Sequence, residues 1–337
     1  MLRRLASAQL SAGSVAAGPA TAGAGCGVIP LEQLLADTAG SAETAAVLRT
    51  TGFHGLSRLD GRGLVHWQRQ VVAELLAGLP AGMAGRIRQL VCVTQTPDRL
   101  IPTAAAVLRP ELVALGVSPD HQVDLSSGCS GYVDALRLLE ANLAQGDPAD
   151  AGLGLVISGD LSSRLIDPSD HQLVAVFGDG VAADLFELAG AGDVPVPGGH
   201  WRQVFAPAPW DALQRREGEP LTMDGLAVMN FVFASVVPCL LDQLPALLAD
   251  QDPGRCCLVL HQANRFIVAA VEKRVRHAHP GLRLAGFRLG DVGNPGSASI
   301  PMALDRARQS GDLEGVKRVI VCGFGVGLSC HVGMIAL

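Results

Sequence analysis

Leu90-Val-Cys-Val-Thr-Gln-Thr96 is a short run, apolar on both faces and polar at its end, and it has a counterpart about 167 residues later in Cys257-Leu-Val-Leu-His-Gln-Ala263. Such a run suits a central strand covered on both faces. With the second half laid over the first at this shift, the Gly128-Cys-Ser-Gly131 turn falls on Asn294-Pro-Gly-Ser297. A little further on, Gly154-Leu-Val-Ile-Ser-Gly-Asp160 meets Arg318-Val-Ile-Val-Cys-Gly-Phe324. The order strand, turn, helix, strand recurs, so the expected fold is α/β, built from two similar halves over residues 1–170 and 171–337. Matching strand ends would then bring the loops of both halves to one central pocket.

The rest of the chain fits this alternation. Further strands are expected at Leu153–Ser158, Leu173–Phe177 and Arg318–Cys322. Helical periodicity marks Leu64–Leu79, Cys129–Ala144, Leu226–Leu248, Arg265–Ala278 and Ile300–Gln309. Ser11–Gly27 is a small-residue stretch to which no structure is assigned. Of the 337 residues, 49% are apolar and 4% aromatic, a balance suited to closely packed helices on buried strands. A formal charge of −6 argues against a nucleic-acid partner. No membrane span is expected, because the best candidate, Phe231–Leu248, contains Pro238, Asp242, Gln243 and Pro245. The start of the chain has Arg3 and Arg4 but no sustained apolar stretch, so a cytoplasmic location is expected. Eight cysteines without Cys-x-x-Cys spacing read as buried core residues rather than disulfides.

Three small-residue motifs carry the chemistry. Cys129, bracketed by Gly128 and Gly131, follows the strand-like Gln122-Val-Asp-Leu125 and precedes a helix with Tyr132, Val133, Ala135 and Leu136. That is a strand-turn-helix elbow, which projects a side chain into a cavity and sets the thiol at a helix end that favours the thiolate. His261 ends an apolar strand beside Gln262 and Asn264, and Asn294 lies in the turn Gly293-Asn-Pro-Gly296. Thiol, imidazole and amide, in that order, are the parts of an acyl-transfer site. Gly323-x-Gly325-x-Gly327 is not a dinucleotide loop, since a strand rather than a helix is expected after it. Neither Cys256-Cys257 nor His277-Ala-His279 has metal-ligand spacing, and no metal is expected.

Together these residues resemble the ketoacyl-ACP synthase III family of thiolase-fold condensing enzymes over roughly residues 64–337. The likeness rests on Cys129 in Gly-Cys-Ser-Gly-Tyr, Ser158-Gly-Asp with Asp167-Pro-Ser-Asp, Phe177-Gly-Asp-Gly, Leu221-Thr-Met-Asp-Gly, His261-Gln-Ala-Asn, Gly293-Asn-Pro-Gly-Ser-Ala-Ser-Ile-Pro and Gly323-Phe-Gly-Val-Gly. It implies a layered αβαβα thiolase-like fold, with Cys129 as the acylated nucleophile and His261 and Asn294 completing a triad. Asn264 would be a secondary polar residue of the pocket. Backbone N–H groups of Cys129 and of the loop Gly325, Val326 and Gly327 would hold the oxyanion.

The resemblance also implies a homodimer, or a heterodimer with a paralogue, in which Ile101 of one chain closes the acyl tunnel of the other. The substrates would be acyl-CoA or acyl-carrier-protein thioesters, with no bound cofactor. Two features depart from the family: its N-terminal strand is not evident, and Ala46 and Thr50 stand near the positions of a tryptophan and an arginine that hold the CoA adenine. No glutamate stands in the three motifs as a proton-abstracting base, which points to decarboxylative condensation with a malonyl thioester. The alternatives are an acyltransferase of the same fold that esterifies or amidates a specialised metabolite, with His261 as base, and an idle partner subunit.

Overall fold

Alternate residues of the strand containing Leu90 serve two different cores. In the computed structural model, which describes residues 1–10, 27–35, 41–145, 152–189 and 200–337, Leu90 and Cys92 pack with one group of helices and Val91 and Val93 with another. In the counterpart strand, Leu258 and Leu260 face one core while Cys257 and Val259 face the other. Both runs read as continuously apolar because both faces are covered.

The main strands are β1 (Leu2–Leu10), β2 (Ile87–Val93), β3 (His121–Leu125), β4 (Leu153–Leu161), β5 (Asp179–Leu188), β6 (Trp201–Phe205), β7 (Cys256–Leu260), β8 (Arg283–Leu284), β9 (Arg318–Gly325) and β10 (Ser329–Ala336). The first sheet runs β3-β2-β4-β5-β1 and the second β8-β7-β9-β10-β6. Directions match strand for strand: β2 is parallel to β3 and β4, while β5 is antiparallel to β4 and β1. In the second sheet β7 is parallel to β8 and β9, while β10 is antiparallel to β9 and β6. The sequence repeat is therefore a structural repeat. One parallel pairing, Arg3 with Ala336, joins the two sheets.

Helices α1 (Leu64–Ala77) and α2 (Ala104–Ala114) cover the outer face of the first sheet. Helices α4 (Gly225–Leu248) and α5 (Arg265–Ala278) cover the outer face of the second. Between the sheets lie α3 (Gly131–Leu143) and α6 (Ser299–Gln309), whose Leu136, Leu139, Ile300 and Leu304 share one core with both. Five layers result, α, β, α, β, α, as expected. By length and composition α4 could cross a membrane, with a mean hydropathy of 1.8, yet half of that window is buried. Its Val236, Leu240, Leu244 and Leu247 pack against β7, β9 and β10. The seven cysteines among the described residues are unpaired and buried.

The structure departs from the sequence expectations in three places. Leu173–Phe177 is not a strand: Asp170 accepts the N–H groups of Gln172 and Leu173 and caps a short helix, His171–Val174. Short apolar runs are ambiguous between the two states, and the capping carboxylate decides this one. The following strand, β5, pairs with β4 and β1, so the first sheet extends to Leu188, past the division expected at residue 170. The N-terminal strand, not evident from the sequence, is present as β1. It was hidden by Arg4, whose charge is buried between Asp184 and Asp305. The stretch Ser11–Gly27 lies, but for its last residue, outside the described residues.

Candidate active site

Cys129 sits in a tight turn, Gly128–Ser130, between β3 and α3. Gly128 has φ 58°, and a Cβ there would lie 2.8 Å from the Val326 Cβ, so glycine is required for the elbow. The thiol is 4% exposed. Burial pushes it up to about 12, and Asp160 adds to the rise, while backbone N–H groups of Val326 and of Cys129 itself oppose it. Desolvation therefore outweighs the backbone N–H groups at the sulfur. Gly325, at the end of β9, has φ 153°, and a Cβ on it would stand 2.9 Å from the Cys129 Cβ and 3.1 Å from Sγ. The missing side chain lets the β9 loop bring its backbone donors beside the sulfur.

His261 follows β7 and anchors its own N–H on the Cys322 carbonyl at 2.9 Å. Its Nδ1 lies 2.5 Å from the Ser299 Oγ, and that oxygen also accepts the Gln262 N–H at 3.5 Å. With the serine hydroxyl donating to Nδ1, the ring proton stands on Nε2, facing away from Ser299. Phe324 packs edge-on to the ring, with centroids 5.3 Å apart. Burial lowers the imidazole to about 3, so it is neutral at physiological pH.

Asn294 is held through its backbone, with its N–H on the Val176 carbonyl and its own carbonyl accepting from Gly178. Its Oδ1 accepts the Gly296 N–H at 3.1 Å, which leaves the amide NH₂ as the unused end.

Cys129, His261, Asn294, Asn264 and Gly325 line one cavity of about 100 Å³. Its apolar wall comes from Phe177, Leu213, Met223, Val228, Ile267 and Phe324. Asn264 has a second duty, because its Oδ1 accepts the Ile267 N–H at 2.8 Å and caps α5. Val326 reaches the sulfur through its backbone, whereas Gly327, with φ 67°, shapes the turn behind it. Ile101 is not in the wall; it stands 89% exposed on the surface. Sequence reasoning did not single out Ser299, although it lies in the same motif as Asn294. A serine on the inward face of a helix start gives no signal until its partner is known.

Two family models match the chain, both described as 3-oxoacyl-[acyl-carrier-protein] synthase III: one over residues 123–195 and its C-terminal counterpart over residues 256–337. The chain is 30% identical over 281 residues to β-ketoacyl-[acyl-carrier-protein] synthase III of Thermosynechococcus vestitus, covering 77% of this chain and 80% of that protein. The chain belongs to the ketoacyl-ACP synthase III family. It is also 30% identical over 264 residues to β-ketoacyl-[acyl-carrier-protein] synthase III 3 of Streptomyces coelicolor, covering 72% of this chain and 74% of that one. The crystal structure of the synthase III from Thermus thermophilus superposes with a TM-score of 0.81 over 99% of both chains at 22% identity, and so shares the thiolase-like ketoacyl-ACP synthase III fold.

Proposed function

We propose that this ketoacyl-ACP synthase III family member is a condensing acyltransferase with Cys129, His261 and Asn294 as its triad. The reading rests on one observation above all. Asn294 has its acceptor occupied by the Gly296 N–H, and His261 turns Nδ1 onto the Ser299 Oγ, so that with the serine donating both residues present N–H donors to the cavity that holds Cys129. Two neutral donors suit a carbonyl oxygen that gains charge, and neither is set up as a base.

In the first half-reaction the Cys129 sulfur attacks the carbonyl of an acyl-CoA or acyl-carrier-protein thioester. The N–H groups of Cys129 and Val326 stabilise the oxyanion, the carrier C–S bond breaks, and the thiol proton leaves with the departing carrier thiol. In the second, a malonyl thioester places its thioester carbonyl between His261 Nε2–H and the Asn294 amide. Its carboxylate leaves as CO₂, and the electron pair of the broken C–C bond becomes an enolate held by those donors, each worth roughly 3 kcal/mol in the transition state. The enolate carbon attacks the acyl-cysteine, the Cys129 C–S bond breaks, the thiolate regains a proton, and a β-ketoacyl thioester departs. The exposure of Ile101 supports its insertion into the tunnel of a second copy or of a paralogue.

Intact-mass measurement after exposure to a range of acyl thioesters, combined with CO₂ release from a malonyl thioester, tests the reading. The expected results are an adduct that Cys129→Ala abolishes, and CO₂ release that falls roughly 100-fold or more in His261→Ala and Asn294→Ala. Absence of any adduct, or transfer to a hydroxyl or amine without CO₂, would overturn it.

A further inference from the structure

Asp160, at the end of β4, is a carboxylate that the mechanism above does not use. It is 2% exposed, and both of its oxygens are engaged by two segments of the site. Oδ1 accepts the Gln95 N–H at 2.7 Å and the Thr94 hydroxyl at 3.1 Å. Oδ2 accepts the Ser297 N–H at 3.0 Å and the Ser297 hydroxyl at 2.8 Å. Four donors on one carboxylate make a clamp, and each segment it grips reaches the chemistry. The Gln95 Oε1 stands 3.0 Å from where a Cβ of Gly128 would be, next to Cys129, while Ser297 is three residues beyond Asn294.

The structural repeat sharpens the point. Gly128 and Gly296 have φ of 58° and 59° and open equivalent turns, so Ser297 stands in the second half where Cys129 stands in the first. The first elbow presents its sulfur to the cavity; the second turns its hydroxyl onto Asp160. Gly296 is held to the same contact, because a Cβ on it would lie 2.5 Å from the Asp160 Oδ2.

We propose that Asp160 is a positioning residue: by clamping the Ser297 elbow to the Thr94–Gln95 segment it sets the Asn294 amide relative to Cys129, and so governs the malonyl half-reaction rather than the loading of the thiol. This rests on the condensing reading above. Asp160 does not help to activate the nucleophile, since its charge contributes to the rise of the Cys129 thiol. A neutral replacement should therefore slow the malonyl half-reaction without slowing the reaction of the thiol, which general damage to the fold would not do.

The test compares wild type, Asp160→Asn and Ser297→Ala in two assays at one pH: CO₂ release from the malonyl thioester of N-acetylcysteamine, and the rate of Cys129 alkylation by iodoacetamide read by mass. In Asp160→Asn, CO₂ release should fall roughly 100-fold, the usual cost of misplacing a reacting geometry by about 1 Å, with alkylation as fast as wild type or faster. Ser297→Ala removes one of the four bonds and should lower CO₂ release about fivefold, with alkylation unchanged. Should Asp160→Asn fail to fold, Ser297→Ala decides by the same criterion. CO₂ release equal to wild type in the folded variants, or a parallel fall in both assays, overturns the assignment. A wild-type enzyme that is alkylated but releases no CO₂ overturns the condensing reading itself, and with it the assignment.

Discussion

The neutral state of His261 is enforced by its surroundings and has a measurable consequence. Burial holds the folded-state value at about 3, while an exposed imidazole titrates near 6.5. Because the unfolded chain binds the proton first, this residue's contribution to stability is complete above about pH 6.5 and declines as the pH falls toward 3. The imidazole should stay neutral between pH 8 and 5, so CO₂ release should show no inflection near 6.5, and the His261 ring resonances should not shift over that range. A titration near 6.5 seen in both would show a protonated histidine and remove the neutral donor from the mechanism. The Ser299 hydroxyl, which meets Nδ1 of the ring, gives a second expectation. Ser299→Ala should lower CO₂ release about tenfold, the scale of one buried hydrogen bond, and leave Cys129 acylation unchanged. An equal loss in both half-reactions would mean that the serine serves packing alone.

At the scale of the element, β1 shows how a charged residue can specify a strand. Arg4 donates to Asp184 through Nε at 3.1 Å and to Asp305 through Nη1 at 2.8 Å, and Tyr132 donates to the other oxygen of Asp184 at 2.5 Å. Strand, neighbouring strand, α3 and α6 are tied at one buried point. Arg4→Ala would leave two carboxylates without their cation and should cost about 3–5 kcal/mol, read from urea unfolding. A loss below about 1 kcal/mol would show that the carboxylates take up protons or water instead. The same residue explains what the sequence concealed: an apolar-pattern reading passes over a strand that carries two arginines. It also misplaced Leu173–Phe177, where Asp170 caps a helix inside an apolar run. By contrast, β2, β4, β7 and β9 were legible because each is covered on both faces. The three motif residues were legible because glycine turns bracket Cys129 and Asn294 and a strand end sets His261. Ser299 and Asp160 were not, because their significance lies in partners 38 and 137 residues away.

The repeat suggests two units, yet the core they share argues that neither is complete alone. Helices α3 and α6 both lie between the sheets, and one apolar cluster joins Val91, Tyr132 and Leu136 from the first half with Val259, Ile300, Leu304 and Val321 from the second. Each such side chain left exposed forfeits about 1.5–3 kcal/mol, and several together exceed the net stability of an ordinary domain. The cavity of the proposed triad is divided in the same way, with Cys129 from one half and His261 and Asn294 from the other. A fragment of residues 1–189 should therefore lack a cooperative thermal transition and bind a hydrophobic dye, whereas the whole chain should unfold in one step seen alike by near- and far-ultraviolet circular dichroism. A fragment that melts cooperatively with its own near-ultraviolet signal would show that the inner helices can be covered without the partner half. Coupling between the sheets would then be needed for the active site alone.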